Sequence, residues 1–166
     1  MNEDQERIMQ LEQQLELLQR QRQHEYYERS PSMFEMVRKC HEKFGLEIRD
    51  KPIGFSLEDD DHVQLFELRN ALHLEEMREF LEAWEGEDLV AFTDAICDLI
   101  YVLCGTAVSF GIPLDACFAE VQRSNMSKLG ENGEPIVRSD GKILKGPNFS
   151  PPDLRTIIYG ANEEAD

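Results

Sequence analysis

The stretch LVAFTDAICDLIYVLCGTAVSF, Leu89 to Phe110, constrains the fold more than any other part of the chain. At about 100° per residue it is apolar nearly all round, the pattern of a core helix, yet it carries Asp94 and Asp98 one turn apart on the same face. Two like charges placed there repel, and each costs several kcal/mol to desolvate unless something positive sits between them. The stretch itself holds no Lys or Arg. Compensation therefore comes from elsewhere, either from Arg69, Arg78 or Arg123 on neighbouring helices or from a bound cation.

A second helix, from about His62 to Trp84, precedes it across a turn at Gly86. On that helix Glu75, Glu76, Glu79 and Glu82 fall within one arc, while Leu74, Met77, Phe80, Leu81 and Trp84 fill the opposite one. The spacing assigns Phe80 and Trp84 to core packing, and an acidic arc by itself is usually a solvated face. A short connection makes the two helices antiparallel. If Glu75, Glu76 and Glu79 of that arc then face Asp94 and Asp98, five carboxylates converge with oxygen donors only, a set that selects Mg2+, with Mn2+ as a substitute. A di-iron centre would need Glu-x-x-His pairs, and none of His24, His41, His62 and His73 stands three residues after a glutamate.

The rest of the chain is helical punctuation followed by turns. Residues 1–29 are rich in Gln and Glu, with Ile8, Leu11, Leu15 and Leu18 at alternating three- and four-residue spacing, a solvated helical extension whose two heptads are too few to dimerise strongly alone. Ser30-Pro31-Ser32 breaks it and starts another helix that Gly45 ends; 46–61 is a loop. Pro113 opens a further helix that Gly130 terminates. Beyond it "IV" and "IL" around Ser139-Asp140-Gly141 suit a small hairpin, and 161–166 reads as a disordered tail. The fold class expected is all-α: a helical bundle over 30–160 with an extra N-terminal helix and an irregular C-terminal tail.

Composition narrows the partners. With 166 residues, 41% of them hydrophobic, the chain has enough for one domain with a core. A formal net charge of −17 argues against nucleic acid, because phosphate contacts need a basic stripe, so any phosphate ligand must arrive with cations. The longest apolar run, Leu99 to Phe110, is short of the ~20 residues of a membrane span, and the acidic, polar start is unlike an export signal. Cys40, Cys97, Cys104 and Cys117 lack CxxC spacing, which fits a reducing cytoplasm.

The motif EEMRE followed by DAICDLIYV resembles the MazG-like all-α nucleoside triphosphate pyrophosphohydrolases, whose pattern is EExxE, a spacer, then ExxD. The likeness continues through AEVQRSNMSKLG and DGKILKGPNFSPPDL and covers roughly 32–159. It implies metal ligation by Glu75, Glu76, Glu79 and Asp98. The motif's remaining glutamate falls on Ala95, and the nearest acid is Asp94, one position earlier and one methylene shorter.

The resemblance further implies attack of water on the α-phosphorus with release of pyrophosphate, Glu79 or Glu76 acting as base. Lys128, Lys145 and Arg123 are the candidates for the outer phosphates, and Asn125 and Asn148 for base or sugar. A deoxynucleotide substrate, dUTP or else dCTP, and a homodimer or homotetramer are implied as well. The competing class of function is a catalytically inactive helical adaptor that binds a partner through its N-terminal helix.

Overall fold

A computed structural model describes the backbone of residues 3–160 and the side chains of residues 5, 7–21 and 30–160. The chain divides into two compact units, one ending at Ser32 and one beginning at Met33. The first is a single helix, α1 (Glu3–Arg29). The second holds α2 (Met33–Phe44), α3 (Asp60–Glu85), α4 (Leu89–Phe110), α5 (Leu114–Met126) and α6 (Leu154–Tyr159). No strand occurs among the described residues, so the fold is all-α. The tail expected over 161–166 lies outside them.

The helix ends have local causes. Asp59 starts α3, its carboxylate accepting from the backbone N–H of Asp61 at 3.0 Å and of His62 at 3.2 Å. Asp88 starts α4 in the same way, accepting from Val90 at 2.8 Å and Ala91 at 3.1 Å. At the other end of α4, Gly111 adopts φ 70°, and a Cβ there would stand 2.0 Å from the Lys51 carbonyl oxygen. That close approach lets the segment after α2 run along the end of α4, with Arg49 N–H donating to Val108 O and Ile53 N–H to Phe110 O.

Two expectations are corrected. Helix α5 stops at Met126 rather than near Gly130, because the Ser127 hydroxyl accepts from the Ser150 N–H at 2.9 Å and draws the returning chain against the helix end. Asp153 then caps α6, a helix too short to show as a pattern in the sequence. Helix α4 as a whole, at 22 residues, is long and apolar enough to cross a membrane by length and composition, whereas Leu99 to Phe110 alone is not, as expected. It packs here against α3 on one side and α2 on another. The expected hairpin forms around a single bridge between Val137 and Ile143.

The core gathers on the second half of α4, where Cys104, Ala107, Val108 and Phe110 are buried along with Val37 of α2. The opposite face of α4 is open in the single chain, with Ile96, Ile100, Tyr101 and Leu103 exposed, so the helix is apolar all round but covered on only part of its circumference.

Candidate active site

Helices α3 and α4 meet along a seam whose residues follow from spacing. Arg69, His73, Glu76 and Phe80 stand at i, i+4, i+7 and i+11 on α3, and Ala95, Asp98, Val102 and Thr106 at i, i+3, i+7 and i+11 on α4. At one end Phe80 and Phe92 pack with ring centroids 4.7 Å apart, with Trp84 at 5.8 Å from Phe92. At the other, Thr106 Oγ1 accepts from Arg69 Nε at 3.0 Å and lies 2.9 Å from His73 Nε2, while Arg69 Nη2 donates to the Val102 carbonyl at 2.6 Å. Glu76 and Asp98 occupy the middle.

The carboxylates are felt together at Glu76. Its carboxyl group is held above the ordinary glutamate range, first by partial desolvation, then by the charges of Asp98, Glu79, Glu75 and Asp94, in that order. Glu76 and Asp98 are half-buried at the seam; Glu75, Glu79 and Asp94 are exposed on its flank. Ala95, where the motif would place a glutamate, is buried, whereas Asp94 is exposed and weighs least on Glu76. The position that lost its carboxylate is therefore the inward one.

The basic residues considered as partners for the aspartates are all engaged elsewhere. Arg69 is buried and spends its hydrogen bonds on Thr106 and Val102, its pKa lowered by desolvation. Arg78 faces Glu82 at 3.7 Å. Arg123 makes a bidentate pair with Glu120 at 2.7 and 2.8 Å and donates to the Pro151 carbonyl at 3.0 Å. Among the described residues, none of the five carboxylate side chains makes an ion pair. An all-oxygen set with no basic partner fits a hard divalent cation. The carboxylates nonetheless stand apart: no three acidic, His or Cys side chains among the described residues are grouped closely enough to enclose an ion as they stand.

The candidate substrate residues form a second group. Asn125 Oδ1 accepts from Lys128 Nζ at 2.7 Å, Lys145 Nζ lies 4.2 Å from the centre of the Phe149 ring, and Asn148 is exposed. These sit at the end of α5 and in the returning chain. Arg123 ties that same segment to the helix, with Glu120 also accepting from the Asp153 N–H at 2.8 Å, and Glu120 consequently titrates at about 2. No hydrogen bond or ion pair joins this group to the carboxylates among the described residues.

Two features lay outside the sequence reading. The Arg69–Thr106–His73 network was visible only as polar residues on an inward stripe. Trp84, expected in the core, is 69% exposed and lines a 540 Å³ cleft at the α3–α4 turn together with Ala83, Glu85, Glu87, Asp88, Leu89 and Phe92. Its neighbour Phe80 is half-buried, as its spacing suggested.

A solved structure described as a "putative NTP pyrophosphohydrolase" from Exiguobacterium sp. 255-15 is similar to the chain, with 26% sequence identity over 76% of this chain and 92% of that one and a TM-score of 0.40. No curated protein matches. The model of the phosphoribosyl-ATP pyrophosphohydrolase family matches residues 37–125, which include all five carboxylates and the whole α3–α4 seam. The chain belongs to the phosphoribosyl-ATP pyrophosphohydrolase family, a relative within the MazG-like all-α nucleoside triphosphate pyrophosphohydrolases.

Proposed function

We propose that the chain hydrolyses a nucleoside triphosphate to its monophosphate and pyrophosphate, in house-cleaning of the nucleotide pool, with Mg2+ held by Glu75, Glu76, Glu79, Asp94 and Asp98. The observation that carries this reading is Glu76, whose charge is opposed by four other carboxylates, none of the five making an ion pair among the described residues. These carboxylates would hold Mg2+, or Mn2+ in its place, which would supply charge neutralisation for the phosphates and acidify a water molecule.

The residues divide the remaining work. Glu76 and Asp98, fixed at the seam, hold the cation side of the substrate. Glu79, exposed one turn further along, accepts the proton of the attacking water, with Glu76 the other candidate. Oxygen of water bonds to the α-phosphorus, the bond from that phosphorus to the bridging oxygen breaks, and pyrophosphate leaves. Lys128, Lys145 and Arg123 are assigned to the outer phosphates, and Asn125 and Asn148 to the base or sugar.

The substrate proposed is dUTP, then dCTP; the family's name adds phosphoribosyl-ATP as a compound to test beside them. A homodimer or homotetramer in the cytoplasm completes the proposal. The exposed apolar face of α4, with Phe66, Leu74 and Trp84 of α3, needs a cover, and a second copy of the chain supplies one of matching character. Pyrophosphate release, measured across the ribo- and deoxynucleoside triphosphates and phosphoribosyl-ATP with and without Mg2+, tests the reading. Release from none of them would sink it.

A further inference from the structure

Helix α1 presents a stripe that is exposed among the described residues of its own unit. Ile8, Leu11, Leu15 and Leu18 lie on one face of an unbroken helix and are 56%, 58%, 58% and 61% exposed. We propose that this stripe pairs with that of a second copy of the chain as a parallel, in-register two-stranded coiled coil. In heptad terms Ile8 and Leu15 occupy a, Leu11 and Leu18 occupy d, and a β-branched residue at a with leucine at d favours two strands.

The flanking charges choose the direction. Arg7 falls at g and Glu12 at the following e, so in a parallel pair each Arg7 meets Glu12 of the other strand, twice per dimer. Gln14 and Gln19 stand in the same relation one heptad on and can exchange amide hydrogen bonds. An antiparallel pair that stacks the same four apolar residues sets Ile8 against Leu18 and brings the two Glu12 side chains together, a like-charge contact. Parallel pairing is thus favoured by attraction in one arrangement and repulsion in the other. Two heptads bind weakly alone. The pairing therefore rests for its effective concentration on the proposed dimer of the second unit, which light scattering reports separately.

The test uses the full chain carrying Ile8→Cys, mildly oxidised and resolved on a non-reducing gel. An a-position cysteine pair in a parallel coil lies within reach of a disulfide. The proposal expects most of the Ile8→Cys chain as a linked dimer, Gln13→Cys on the outer face no more linked than wild type, and loss of the Ile8→Cys link when Leu11 and Leu15 are both changed to Asp. Linking only in a mixture of Ile8→Cys with Leu18→Cys shows an antiparallel pair and overturns it. Absence of the Ile8→Cys link overturns it whether the protein runs as a dimer or a monomer, and points to the helix lying on its own chain.

Discussion

Replacing Gly105 by alanine tests the seam at its tightest point. A Cβ at that position would stand 2.6 Å from Arg69 Nη2, 3.0 Å from His41 Nε2 and 3.3 Å from Arg69 Cζ. Helix propensity alone favours the substitution by about 0.8–1 kcal/mol. Ordinary contact needs about 3.5 Å, so the guanidinium must retreat by roughly 1 Å. It has little freedom to do so, being buried and bound to Thr106 at 3.0 Å and to the Val102 carbonyl at 2.6 Å. Losing one hydrogen bond from a charged donor and weakening the other costs about 3 kcal/mol, which leaves a net loss of about 2 kcal/mol. In thermal melts this lowers Tm by about 5–10 °C. Gly54→Ala, which meets nothing within 4 Å, is the control and should shift stability by less than about 0.5 kcal/mol. In an Arg69→Met background the Gly105→Ala penalty should shrink, because the nearest obstructing atoms, those of the guanidinium, are gone and only His41 Nε2 at 3.0 Å remains. A Gly105→Ala protein that melts above wild type would refute the arrangement of Arg69 described here.

Glu76→Gln should raise the Tm of the metal-free protein at neutral pH. The folded pKa of Glu76 lies above its unfolded value, so its ionised form penalises the fold once pH rises through the folded pKa, and the difference between variant and wild type should vanish below the ordinary glutamate value near 4.5. Glu120→Gln should behave in the opposite sense. Glu120 titrates at about 2 instead of 4.5, so its stabilisation is complete above the ordinary value and fades as pH falls from there towards 2, and the variant should melt below wild type at pH 7 but not at pH 2. Removal of residues 1–29 should leave hydrolysis by the second unit intact, because the family match begins at 37; loss of turnover on truncation would show α1 to be part of the working assembly.

Much of the fold was readable because its signals are local. Ser30-Pro31-Ser32, Gly45 and Gly86 punctuate the helices where the backbone turns, and the period of α3 and α4 marks which residues meet. The hairpin at Ser139-Asp140-Gly141 announced itself by turn chemistry. What escaped were partnerships between distant parts of the chain. Arg69 and Thr106 are 37 residues apart, and nothing near either one shows that a buried arginine would find a hydroxyl and a carbonyl in place of an acid. The early end of α5 depends on Ser150, 23 residues beyond Ser127. The carboxylates themselves were legible as three glutamates and two aspartates on helical spacing, but the inward direction of Ala95 and the outward one of Asp94 depend on how α4 is rotated against α3, which packing decides.

The most direct test of the account is the initial rate of pyrophosphate release from dUTP and dCTP with added Mg2+, compared between wild type, Asp98→Asn and Asp94→Asn, with folding checked by circular dichroism. Asp98 is half-buried at the seam and exerts the largest charge effect on Glu76, whereas Asp94 is exposed and exerts the smallest. The account predicts magnesium-dependent release of monophosphate and pyrophosphate in equal amounts by wild type, abolished in Asp98→Asn and reduced less in Asp94→Asn. It also predicts that Mg2+ raises the Tm of wild type and not of Asp98→Asn, since a ligand stabilises only the state that binds it. Turnover unchanged in folded Asp98→Asn, or no magnesium-dependent release by wild type, would contradict it and leave the helical adaptor as the better description.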